Sequence, residues 1–134
     1  MVKKPDQEFV EEGAEDITPK DIDKVVEKSE DINKKFNARG PLKRFIVDAK
    51  LLIALVKDWR LGKYRQALYG TIAAVAFALL YVFNPLDIIP DVLPFIGVVD
   101  DAAVIGALLM LVERDLDKYR NWKEGQLMFE EPKG

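Results

Sequence analysis

"ALYGTIAAVAFALLYVFNPLDIIPDVLPFIGVVDD", residues 67–101, decides the fold. Its first half, residues 67–83, carries no charged side chain, and its polar groups are Thr71 and the hydroxyls of Tyr69 and Tyr81. A run of this length with no period-two alternation predicts a helix that is hydrophobic on every side. Asn84-Pro85 ends it, because proline disfavours helical backbone in the preceding residue and has no amide hydrogen to donate. Pro90 and Pro94 repeat the interruption, Gly97 restores conformational freedom, and another helix is expected from about Asp100. Two apolar rods joined by a proline-rich acidic elbow are therefore the expected centre of the molecule.

Upstream, Thr18-Pro19-Lys20-Asp21 reads as a helix start, with Thr18 as N-cap, Pro19 at the first helical position and Asp21 facing the exposed amides. Ile22, Val25, Val26, Ile32 and Phe36 follow at mostly helical spacing, and Gly40-Pro41 supplies a stop, which defines an amphipathic helix over 18–39. Its thin apolar stripe has to dock on a partner or on the main domain. From Pro41, the residues Leu42, Phe45, Ile46, Ala49, Leu52, Ile53, Val56 and Trp59 mark the buried face of a basic amphipathic helix that breaks at Gly62. A last helix carries Ile105, Leu108, Leu109, Val112, Leu116, Tyr119 and Trp122 on one side and turns polar at Glu113. Residues 1–17 are acidic and poor in large apolar groups and are expected to be a disordered tail, as 124–134 are expected to be a flexible one. The expected class is all-α, a small helical bundle built on an apolar helical hairpin plus the N-terminal amphipathic helix, with its main domain at 41–123.

The chain of 134 residues has 20 bases and 23 acids, no cysteine and no histidine. Disulfides and thiolate metal sites are excluded, and the commonest transition-metal ligand and general base is missing. The opening "MVKKPDQEFV" has no apolar core before a small-residue cleavage site, so no secretory signal is expected there. Charge is uneven: residues 41–66 hold seven bases and two acids, whereas 67–112 hold four acids and no base. The acidic balance, with no basic face interleaved with aromatics, speaks against a nucleic-acid partner.

The four acids of the elbow are Asp87, Asp91, Asp100 and Asp101. One reading makes them helix caps, with Asp100 capping the last helix and Asp101 in its first turn, where the macrodipole favours an anion. A second collects them around a divalent cation, since hard cations prefer oxygen ligands. A third returns Arg44, Arg60, Lys63 or Arg65 from the preceding helix to neutralise them, because an isolated buried charge is costly. There is no calcium-loop spacing and no phosphate-cradling glycine loop, so no catalytic residue is assigned and no cofactor is expected beyond that cation.

The stretch "LLYVFNPLDIIPDVLPFIGVVDDAAVI" resembles the signature of the YkvA-like family of bacterial helical domains, through Tyr81, Asn84, Pro85, Asp87, Ile89, Pro90, Asp91, Pro94, Gly97, Asp100 and Asp101. The flanking "GKYR" and "DLDKYRNW" resemble it too, which extends the likeness over about 41–123. The resemblance implies a small, often membrane-associated helical domain and brings no catalytic residues.

Two placements then stand. In one, residues 67–83 form a borderline transmembrane helix and the chain returns through 92–112, as a full span or a partly inserted re-entrant hairpin, with both termini on the cytoplasmic side of a bacterial inner membrane by the positive-inside rule. Trp59, Tyr64, Tyr119 and Trp122 then meet the cytoplasmic interface. In the other, amphipathic helices wrap the apolar helix in a cytoplasmic bundle. The expected function is a non-enzymatic, membrane-associated interaction or scaffolding module, with membrane lipid as one partner and a protein partner bound through the helix Thr18–Phe36. A soluble adaptor and a metal-dependent activity at the aspartates are the alternatives.

Overall fold

The computed structural model describes residues 6–38, 40–85 and 100–129, which contain helices and no strand. In chain order these are α1 (Gln7–Glu15), α2 (Pro19–Glu27), α3 (Ser29–Asn37), a 3-10 turn (Pro41–Phe45), α4 (Ile46–Arg60), α5 (Tyr69–Phe83), α6 (Asp101–Leu111) and α7 (Glu113–Phe129). The protein is a small all-α bundle.

The apolar run forms α5, and every residue from Ile72 to Val82 is buried. Its 15 residues span about 22 Å at 1.5 Å per residue, short of a hydrocarbon core of about 30 Å. No described helix is long and apolar enough to cross a membrane. The transmembrane helix expected at 67–83 is corrected accordingly. Its hydrophobic surface is covered by protein, because α1, α2, α3, α4 and α6 all pack on α5. Burying a helix on all sides takes several partners in so short a chain, and one of them comes from an unexpected place.

That partner is α1, formed by residues that composition assigns to a disordered tail. Asp6 caps it, accepting the Phe9 amide at 3.1 Å. Phe9 and Val10 are buried, with the Phe9 ring edge-on to Phe77 and Tyr81 at centroid distances of 5.6 Å each. Gly13 lets the backbones of α1 and α5 approach: a Cβ there would lie 2.3 Å from the Phe77 ring. Phe9 meets Tyr81 near the end of α5, while the Tyr69 hydroxyl near its start donates to the Ile17 carbonyl at 3.0 Å. The two helices therefore run antiparallel. Few large apolar residues are enough when α5 offers each of them a complete pocket, which composition averaged over the segment cannot register.

The single helix expected at 18–39 is two helices bent at Lys28. Thr18 and Asp21 form a reciprocal capping box: the Asp21 amide donates to Thr18 Oγ1 at 3.3 Å and the Thr18 amide donates to Asp21 Oδ2 at 2.9 Å. The bend lets both α2 and α3 reach α4 and α5, burying Ile22, Val25, Ile32 and Phe36. Of the two docking modes open to this amphipathic segment, the one formed is docking on the main domain. The last helix also divides, at Val112, and α7 continues to Phe129, past the boundary drawn at 124.

Candidate functional site

The sequence signature falls at the far end of the α5–α6 pair. Tyr81 and Asn84 close α5, and Asp100 and Asp101 open α6; Asp87, Ile89, Pro90, Asp91, Pro94 and Gly97 lie outside the described residues. Asp100 is the N-cap of α6, accepting the Ala102 amide on Oδ1 at 2.9 Å. Asp101 stands half-buried in the first helical turn. Burial, and then the neighbouring Asp100, hold its carboxyl above the usual range, while Lys35 of α3 pulls the other way. Burial, reinforced by Asp101, pushes the Tyr81 phenol up to about 12. This end of the bundle thus presents a neutral phenol, a capping carboxylate and a second carboxylate under an opposing lysine.

Among the described residues no three acidic side chains gather as a metal site, and the four-aspartate arrangement expected from sequence falls partly outside them. The cations proposed as partners for the elbow are engaged as follows. Arg60 pairs with Asp23 of α2. The Arg65 guanidinium lies 4.5 Å from the centre of the Trp59 ring, and that of Arg44 4.8 Å from the centre of Phe45. Lys63 is exposed, and its backbone amide donates to the Asp58 carbonyl at 2.9 Å. A cation acting on Asp101 is Lys35, from the segment expected to dock on a partner or on the main domain.

A second polar centre lies near the start of α5 and was not singled out by sequence reasoning. Asp58, only 8% exposed, accepts the Tyr119 hydroxyl at 2.5 Å and Lys123 Nζ at 3.0 Å on the same carboxylate oxygen. Its carbonyl accepts the amides of Lys63 and Tyr64. Tyr64 then packs on Tyr119 and Trp122, at centroid distances of 5.1 and 5.0 Å. The two "KYR" flanks, residues 63–65 and 118–120, therefore meet in space through their tyrosines. Tyr64 and Tyr119 are buried, which corrects the expectation that they anchor at a membrane interface. Burial, then the Asp58 hydrogen bond, raises the Tyr119 phenol far above its ordinary value. A signal was present: Asp58 follows Leu55 by three residues on the apolar stripe, and its i±4 neighbours are Ala54 and Gly62. An acid so placed has no local cation to pair with and has to find a distant partner.

The α4–α5 connector above this centre is built around Trp59. The indole Nε1 donates to the Ala67 carbonyl at 3.2 Å, and the ring meets Tyr69 at 5.9 Å. Gly62 provides the turn with φ +81°, a conformation that side chains with a Cβ rarely adopt. The connector ends are thereby drawn together, leaving Leu61 and Leu68 67% and 76% exposed. Lys63 and Arg65 lie exposed between them.

A buried apolar helix wrapped by amphipathic ones, closed at one end by an acidic cap and at the other by a tyrosine–aspartate staple, defines a class of small helical-bundle domains. Within that class, the chain belongs to the YkvA-like family. It is 37% identical over 81 residues to the protein named "Uncharacterized membrane protein YkvA" of Bacillus subtilis (strain 168), covering 60% of this chain and 76% of that one. The family described as "Protein of unknown function (DUF1232)" matches residues 71–107, from α5 through most of α6. No solved structure matches the chain.

Proposed function

We propose that the protein is a non-catalytic, membrane-associated interaction module, held at the cytoplasmic face of a bacterial inner membrane by its surface. The observation that carries this reading is the cationic surface of residues 41–66. Lys43, Arg44, Lys50, Lys63 and Arg65 are all exposed, whereas the block's two acids, Asp48 and Asp58, are half-buried and buried. Exposed cations spread along such a block are attracted to anionic lipid headgroups, each contributing about 1 kcal/mol when near the surface. The name of the Bacillus subtilis relative, a membrane protein, supports the same placement. With the apolar stripes of α2 and α3 buried against the bundle, a protein partner at Thr18–Phe36 meets their outer, charged faces.

Fractionation of cells expressing the full-length chain tests the reading. The protein should sediment with membranes at low salt and be released by carbonate or high salt, because surface attachment of this kind is screened. Recovery in the soluble fraction at low salt excludes membrane association; retention after carbonate excludes the surface mode.

A further inference from the structure

We infer that the α4–α5 connector is the element that enters the bilayer, with Leu61 and Leu68 as apolar anchors and Lys63 and Arg65 as contacts to anionic phospholipid headgroups. The inference rests on the membrane reading above and narrows it to one loop and one lipid class.

Three observations meet there. First, the leucines stand at helix ends where nothing in the fold calls for them. Leu68 is the N-cap of α5 and makes no side-chain capping bond, although serine, threonine, aspartate or asparagine is the stabilising choice at that position. Leu61 is the C-cap of α4. Both are left in solvent; among the described residues the other large apolar side chains exposed to a like degree are Val47 of α4 and Met110 of α6. Second, the loop is held in shape by the Trp59–Ala67 and Trp59–Tyr69 contacts and by Gly62, so its apolar tips need little ordering when they insert. Third, the charge is complementary to an anionic surface. Residues 60–69, "RLGKYRQALY", carry three cations and no acid. Three neighbouring acids are engaged elsewhere: Asp23 with Arg60, Asp58 with Tyr119 and Lys123, and Asp115 with the Thr71 hydroxyl. Glu11 and Glu15 line a cleft of about 610 Å³ together with Leu68 and Tyr69, so the cationic patch ends at Leu68 on the α1 side.

Apolar tips ringed by lysine and arginine suit the headgroup boundary of a bilayer, where leucine enters the acyl region and the cations remain among phosphates. A protein partner of matching shape would have to supply both an apolar pocket and an acidic rim, whereas an anionic bilayer supplies both without further structure.

The test is sedimentation of the full-length protein with vesicles of equal parts phosphatidylglycerol and phosphatidylcholine, against vesicles of phosphatidylcholine alone. Wild type should bind the first and not the second. Leu61→Ser with Leu68→Ser should weaken binding about tenfold or more, and Lys63→Gln with Arg65→Gln about tenfold, the remainder losing most of its salt dependence. Val47→Ser with Met110→Ser should bind as wild type. Serine is a better N-cap than leucine, so the leucine double variant should melt no lower than wild type, and unaltered circular dichroism and melting confirm that each variant is folded. Unchanged binding of the leucine variant, loss of binding in the Val47/Met110 variant, or equal binding to both vesicle types overturns the inference. If wild type binds neither vesicle yet sediments with cell membranes, this inference fails while the membrane reading stands on another attachment.

Discussion

Gly13 shows how one missing Cβ sets the position of a helix. In α1 it is a poor helix former, yet any larger residue meets the Phe77 ring, which is itself fixed between Phe9 and Tyr81. Alanine would gain about 1 kcal/mol of intrinsic helix propensity and lose more to overpacking, so Gly13→Ala should destabilise the protein by about 1–3 kcal/mol in urea denaturation. The acidic cap works on the same scale. Asp100 satisfies a backbone amide, while Asp101 sits in the same helical turn with its charge partly desolvated and opposed by Lys35. The capping role of such residues is legible from their position after a proline-rich stretch. Lys35 is not, because its influence depends on α3 and α6 both packing on α5 rather than on any spacing along the chain.

Among the elements, α4 and α7 are joined by the Asp58–Tyr119–Lys123 cluster with the Tyr64 and Trp122 rings around it. Removing the phenolic hydroxyl leaves a buried carboxylate with one partner fewer, so Tyr119→Phe should cost about 1–3 kcal/mol at neutral pH. The tyrosines also set an alkaline limit. Tyr81 and Tyr119 are raised in the fold above the ordinary value of 10.0, so the folded state keeps protons that the unfolded chain gives up. Their contribution is complete below the unfolded value and is lost as pH rises from there, through about 12 for Tyr81 and beyond for Tyr119. Stability measured against pH should therefore fall steeply on the alkaline side. The Tyr119→Phe variant should fall less steeply and show one fewer late-ionising phenol in ultraviolet titration.

At the scale of the whole molecule, the fold is a solution to one problem, the covering of α5. Five helices share the task, and α1 shields the side of Phe77 and Tyr81. Deleting residues 1–16 should expose that side. A lower melting temperature, dye binding typical of exposed apolar surface, and self-association are the expected outcomes, each readable by calorimetry, fluorescence and light scattering. A truncated chain that melts as the full-length protein does would show α1 to be a passive attachment.

The sequence by itself determined the all-α class, the apolar helix, the Thr18 capping box, the turn at Gly62 and the membership signature, because each depends on neighbours within a few residues: a proline without an amide hydrogen, a side chain bonding three positions along, a backbone angle open to glycine. Only the tertiary structure decided that α5 is wrapped by helices, that residues 7–15 fold at all, and that Asp58 finds its partner 61 positions away. Those outcomes rest on burial, which depends on what lies across the core. Phe9 and Val10 cannot offset the entropy of ordering α1 until Phe77 and Tyr81 are in place to receive them.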